Sequence, residues 1–145
     1  MSEQFLCKTH EDSFNLGGKL GFELQAGDVV LLHGELGAGK TVITKGLLGA
    51  LGFDPADVTS PSFALVNLYP TSNFDVYHID LWRVGEGSDA AFEVGLDDVF
   101  AGENSVVIIE WAERLGGYRF DGRVIDVSIE IQDDDSRTVV IAKSR

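Results

Sequence analysis

The chain has 145 residues, 44% hydrophobic and 24% charged, which suits one ordinary globular domain over residues 1–145 and argues against two. Its 24 Asp and Glu against 11 Lys and Arg give a formal net charge of −13, so the average surface repels phosphate backbones and makes the chain a poor candidate for an autonomous nucleic-acid binder. A single cysteine, Cys7, cannot staple a fold, and the start MSEQFLCKTH is not a basic-then-apolar leader. No uncharged apolar stretch approaches about 18 residues, so the expectation is a cytoplasmic protein that does not enter a membrane, with Cys7 a buried strand residue.

In chain order, Gln4 to Thr9 reads as a short strand, and His10-Glu11-Asp12-Ser13 as the acidic first turn of a helix. Phe14, Leu16, Leu20, Phe22 and Leu24 continue a helical stripe that Gly17, Gly18 and Gly21 weaken. After a turn at Gln25 to Asp28, Val29 to His33 is a buried strand and Thr41 to Leu51 a helix ended by Gly52, with the glycine-rich Gly34 to Lys40 between them. FDPADVTSPS is a loop. Phe63 to Tyr69 and Phe74 to Asp80 read as a hairpin, Ser88 to Phe100 as a short amphipathic helix or two turns, and Ser105 to Glu110 as an apolar strand. The alternating runs Val124 to Ile131 and Thr138 to Ala142 close the chain as a second hairpin across a solvated acidic turn. Strands with few intervening helices in the second half imply a mixed sheet and not a purely alternating doubly wound one. Together with the glycine-rich strand-to-helix turn at Gly34 to Lys40, the expected fold class is α/β, a P-loop NTPase-like three-layer sandwich with a central mixed sheet and a C-terminal antiparallel hairpin.

GELGAGKT, Gly34 to Thr41, carries the chemistry. The GxxxxGKT spacing lies between an apolar strand and a helix, the context in which such a motif binds phosphate rather than merely turning the chain. Its glycines let backbone N–H groups face an anion at a helix start, Lys40 adds a cation, and the Thr41 hydroxyl suits Mg²⁺. Phosphoryl transfer also needs a carboxylate at a neighbouring strand end, and both Asp80 and Glu110 qualify, although either alone could simply cap a turn. Thr59-Ser60-Pro61-Ser62 is a hydroxyl-rich candidate for sensing a terminal phosphate, or an ordinary turn. His33 and His78 have no second ligand at metal spacing and read as core or edge residues. Trp111 either lines the nucleotide pocket or packs, and packing is the preferred reading.

Together GELGAGKT, TSPSFALVNLY at 59–69, YHIDLWR at 77–83 and IIEWAERL at 108–115 resemble one small bacterial family, the TsaE (formerly YjeE) ATPase of tRNA threonylcarbamoyladenosine biosynthesis. The resemblance implies an ATPase that works with the TsaB and TsaD proteins, supports their multiple turnover and does not itself perform the transfer to tRNA. It implies that Glu35, Leu36, Gly37, Ala38, Gly39, Lys40 and Thr41 hold the phosphates of ATP or ADP, with Thr41 and Glu110 on Mg²⁺. Asp80 would be the Walker-B-type acid, and Thr59 to Ser62 a switch-like loop. Thr9 and His10 would lie on the adenine side, and Arg137 would be a further nucleotide contact. A carboxylate at Glu35 would repel phosphate, so its own side chain plays no direct part. Ser62 stands where the family commonly has Thr, and Trp82 where it has Tyr; each keeps a hydroxyl or an aromatic ring.

Three rivals remain at this point. A small-molecule kinase usually needs an arginine-bearing lid, and no Arg-rich segment occurs. A GTP switch needs NKxD and DxxG motifs, which are absent. A scaffold that binds nucleotide without hydrolysing it is separated least well. The acidity implies that tRNA is met only through a protein partner.

Overall fold

The computed structural model describes residues 2–35, 37–59, 61, 66–82, 95–101, 104–115 and 118–144. The elements in order are β1 (Ser2–Cys7), α1 (His10–Glu23), β2 (Val29–His33), α2 (Lys40–Ala50), a 3-10 turn (Pro55–Asp57) and β3 (Val66–Pro70). They continue with β4 (Asp75–Asp80), α3 (Leu96–Ala101), β5 (Ser105–Glu110), a 3-10 turn (Ala112–Leu115), β6 (Val124–Ile131) and β7 (Arg137–Lys143).

One sheet of seven strands runs in the order β1-β7-β6-β2-β5-β4-β3. Its centre, β6-β2-β5-β4, is parallel, while β3 at one edge and the β7–β1 side at the other are antiparallel. This is the mixed sheet that the sequence implies. Alternation sorts the core into two layers. Val30, Leu32, Val76, Val106, Ile108, Ile125 and Val127 pack under α1 and α2, with Leu16, Leu20, Ile43, Leu47 and Leu48 supplying the helix side. Val29, Ile79, Val107 and Ile109 point to the opposite face, where Leu96 and Val99 of α3 and Ala112 cover them. Burial on both faces is why β5 reads as an uninterrupted apolar run.

The strands Val29–His33, Ser105–Glu110 and Val124–Ile131 fall where the sequence puts them. The first strand ends at Cys7, because Thr9 is needed as the N-cap of α1: its side chain accepts from the Asp12 N–H while the Asp12 carboxylate accepts from the Thr9 N–H. Residues 63–65 of the first expected hairpin and residues 88–94 of the expected helix lie outside the described residues. Cys7 is buried as expected. Among the described residues, no helix is long and apolar enough to cross a membrane.

The glycines that weaken the α1 stripe serve the neighbouring helix. A Cβ on Gly17 would sit 2.1 Å from the Ile43 carbonyl oxygen, and one on Gly46 would sit 2.0 Å from that of Phe14. Helices α1 and α2 therefore meet backbone to backbone, and α2 is held rigidly above the sheet. Gly46→Ala is expected to destabilise the fold by about 3 kcal/mol, the upper range for overpacking, measured by urea unfolding against wild type. Gly52→Ala, where a Cβ meets nothing within 4 Å, should lose less even though φ there is +87°.

Candidate phosphate site at the carboxyl edge of the sheet

β2 delivers the chain to Gly34 at the carboxyl edge of the parallel strands, and α2 begins six residues later at Lys40. Gly39 is the N-cap, with φ 105° and ψ 23°, a left-handed conformation open to glycine at little cost, and it supplies no side-chain cap. The first bond of the helix runs from the Ile43 N–H to the Gly39 carbonyl at 3.1 Å. The N–H groups of Lys40, Thr41 and Val42 thus have no intrahelical acceptor, and they face the same end as the positive pole of the helix dipole. Glu35 is exposed, its carbonyl taking the Ala38 N–H at 3.1 Å. Leu36, Ser60 and Ser62 lie outside the described residues.

Lys40 is 6% exposed. Its Nζ donates to the Gly34 carbonyl at 2.7 Å and stands 4.3 Å from the centroid of the Trp111 ring. Among the described residues it forms no ion pair with a carboxylate. A buried ammonium held by one carbonyl and one aromatic face, with no carboxylate in ion-pair contact and Asp80 only near enough to feel its charge, is open to an anion. Trp111, expected mainly to pack, is set against this cation by a left-handed backbone at φ 61°, and its ring lies 4.6 Å from that of Trp82.

Asp80 and Glu110 end adjacent parallel strands and face each other in register, and Leu32 of β2 pairs with Glu110 on the other side. Both carboxylates are buried, and both are on the α2 side of the sheet by strand alternation. Asp80 Oδ1 accepts from the Trp82 N–H at 2.9 Å. Glu110 Oε2 lies 2.6 Å from Nε2 of His78, a ring that is fully buried and whose Nδ1 has no partner among the described residues. An unsatisfied buried polar atom costs about 1–3 kcal/mol, so the ring is there for its other nitrogen. The sequence placed His78 correctly in the core but gave no sign of its contact with Glu110.

Thr59 is pinned to β3. Its N–H donates to the Tyr69 hydroxyl at 3.1 Å, that hydroxyl donates back to the Thr59 carbonyl at 3.0 Å, and the Asn67 amide reaches the same carbonyl at 3.3 Å. Tyr69 and Asn67 lie within the TSPSFALVNLY stretch, but nothing in the sequence assigned either a role of its own.

On the other flank of the loop a cavity of about 300 Å³ is lined by Thr9, His10, Ala38, Gly39, Val42 and Arg137, among others. Arg137 opens β7, donating from Nε to the Ala38 carbonyl at 3.1 Å and from Nη2 to that of Gly37 at 3.4 Å. The structure thus brings Thr9 and Arg137, far apart in the chain, to one wall of the loop. The Thr9 hydroxyl is already engaged as the α1 cap.

Strand, glycine loop, uncapped helix and paired strand-end acids define the class: an α/β protein of the phosphate-loop, nucleotide-binding type. Within that class the chain belongs to the TsaE family, since the model for threonylcarbamoyl adenosine biosynthesis protein TsaE matches residues 7–139. It is similar to the tRNA threonylcarbamoyladenosine biosynthesis protein TsaE of Mycobacterium bovis, 37% identical over 126 residues that cover 83% of this chain and 74% of that protein. The protein of the same name from Rickettsia felis is 31% identical over 132 residues, covering 91% and 75%. Among solved structures, the crystal structure of Bacillus subtilis YdiB matches with a TM-score of 0.76 at 26% identity, covering 99% of this chain and 86% of that one.

Burial, the largest influence, raises the pKa of Asp80 above the ordinary carboxyl value, and Glu110 adds to the rise; the Trp82 N–H, His78 and Lys40 oppose it. Because the folded pKa lies above the unfolded one, the native state holds the extra proton between the two. This carboxylate therefore takes stability away as pH rises through that window. Asp80→Asn keeps an acceptor for the Trp82 N–H and removes the buried charge. It is expected to raise the melting temperature at neutral pH by about 2–4 °C and to flatten its decline as pH rises above the acid range, read by scanning calorimetry.

Proposed function

We propose that the protein binds ATP with Mg²⁺ and hydrolyses it slowly, as the subunit that supports turnover of a TsaB–TsaD complex during threonylcarbamoylation of tRNA. The carrying observation is Lys40: a buried cation without a carboxylate in ion-pair contact among the described residues, at an uncapped helix start, near enough to the buried strand-end Asp80 to act on its charge. In this reading the N–H groups from Gly37 to Thr41 and the Lys40 ammonium take the phosphates. Lys40 then exchanges its bond to the Gly34 carbonyl for the outer phosphate oxygens. Arg137 and Thr9 border the nucleoside on the cavity side.

The donor set fits Mg²⁺, since the Thr41 hydroxyl and the Glu110 carboxylate are hard oxygen ligands of the kind that ion takes. When bound, the ion would neutralise charge on the phosphates and orient them. Asp80, whose burial raises its affinity for a proton, takes the proton of a water attacking the terminal phosphorus, and the Trp82 N–H holds the carboxylate in place. The bond to the bridging oxygen breaks to release ADP and phosphate. Thr59 belongs to the segment that senses whether the terminal phosphate is present, tethered at one point by Tyr69 and Asn67. With a net charge of −13, the protein meets tRNA only through its partners.

The test is ATP hydrolysis with and without TsaB–TsaD. Wild type should be slow alone and faster in the complex, and Lys40→Ala and Glu110→Ala should each lose about 100-fold or more in the complex, the usual cost of removing a group that stabilises transition-state charge. Variants that match wild type there would sink the catalytic reading. Tight binding of bare tRNA by the isolated protein at physiological salt would sink the indirect role.

A further inference from the structure

We propose that His78 is the positioning residue for Glu110: it holds one carboxylate oxygen so that the other is presented to Mg²⁺. The inference rests on the reading above, which puts Glu110 on the ion. The His78 ring is completely buried, its Nε2 is 2.6 Å from Glu110 Oε2, and Nδ1 is a buried atom with no hydrogen-bond partner among the described residues. An apolar side chain in that place would leave no orphan atom, so the bond to Glu110 is what the polar ring contributes.

The orphan also selects the tautomer. A neutral ring with its hydrogen on Nε2 leaves only a lone pair bare at Nδ1, whereas a hydrogen on Nδ1 would be a buried donor without an acceptor. Nε2–H therefore donates to Glu110 Oε2. The other carboxylate oxygen makes no hydrogen bond to a described residue. Asn67, opposite His78 on β3, cannot complete the ring because its amide is turned to Thr59 and Tyr69.

Register explains the reach. His78 pairs with Ile108, and Asp80 with Glu110, so the imidazole sits one sheet level behind the strand-end acids and bonds Glu110 from within the core. Metal-binding carboxylates are themselves oriented by such hydrogen bonds, and loss of the orienting group typically costs 10–100-fold in metal affinity.

Two polar replacements separate the roles of the two nitrogens. Gln places an amide nitrogen near the position of Nε2, and Asn near that of Nδ1. Mg²⁺ is titrated into protein with saturating ADP, and ADP affinity without Mg²⁺ is measured by calorimetry. His78→Asn should raise the Mg²⁺ concentration for half-effect by about 10–100-fold, while His78→Gln stays close to wild type. Both should bind ADP like wild type when Mg²⁺ is absent, which a general loosening of the fold would not allow. If the Asn variant does not fold, His78→Phe takes its place with the same expectation. Wild-type Mg²⁺ dependence in the Asn or Phe variant, or equal loss in Gln and Asn, would overturn the proposal. No Mg²⁺ effect on ADP binding in wild type would instead remove the metal site from the preceding reading, and the role of His78 with it.

Discussion

Everything in the site hangs from the backbone hydrogen bonding of β5 between β2 and β4. That pairing sets Leu32, Glu110 and Asp80 at one level, so that the strand feeding the glycine loop and the two strands bearing the acids end together. Parallel strands can do this because each crosses to the next by a connection that returns the chain to the same end. A slip of one residue in β5 would turn Glu110 to the opposite face, away from α2 and from His78. The wholly buried β5 holds the register firmly, since such a slip would exchange its two sets of core contacts.

Over this edge the charges are out of balance. Lys40 is buried against a carbonyl and an indole ring, Asp80 is pushed toward its protonated form, and Glu110 is held by a histidine. Among the described residues, Lys40 and Asp80 make no contact ion pair, and the partner of Glu110 is a histidine and not a permanent cation. Sites that must accept charge from outside keep such groups unpaired, at a cost in stability that the surrounding core offsets.

The sequence made the strands legible wherever burial is uniform or strictly alternating, as in Ser105–Glu110 and Val124–Ile131, because period alone settles those. It also placed Asp80, Glu110 and the loop, since each is marked by its position at the end of an apolar run. The purpose of Gly17, Gly21 and Gly46 was not legible: their constraint comes from the backbone of another helix, which no local pattern records. The same holds for His78, whose partner lies 32 residues away and is brought near only by register. Arg137 was visible only through resemblance, and its grip on Ala38 and Gly37 spans the whole chain between β2 and β7. Trp111 looked like packing because its backbone turn, which aims the ring at Lys40, has no sequence signature in a non-glycine residue.

The contact between α1 and α2 bears on how a nucleotide could move this protein. With carbonyl oxygens of each helix seated where side chains would normally stand on the other, α2 has no slack along its axis or about it. It is an anchor and not a piston. The helix that starts at the glycine loop is therefore fixed to α1 at the level of Gly17, Gly21 and Gly46.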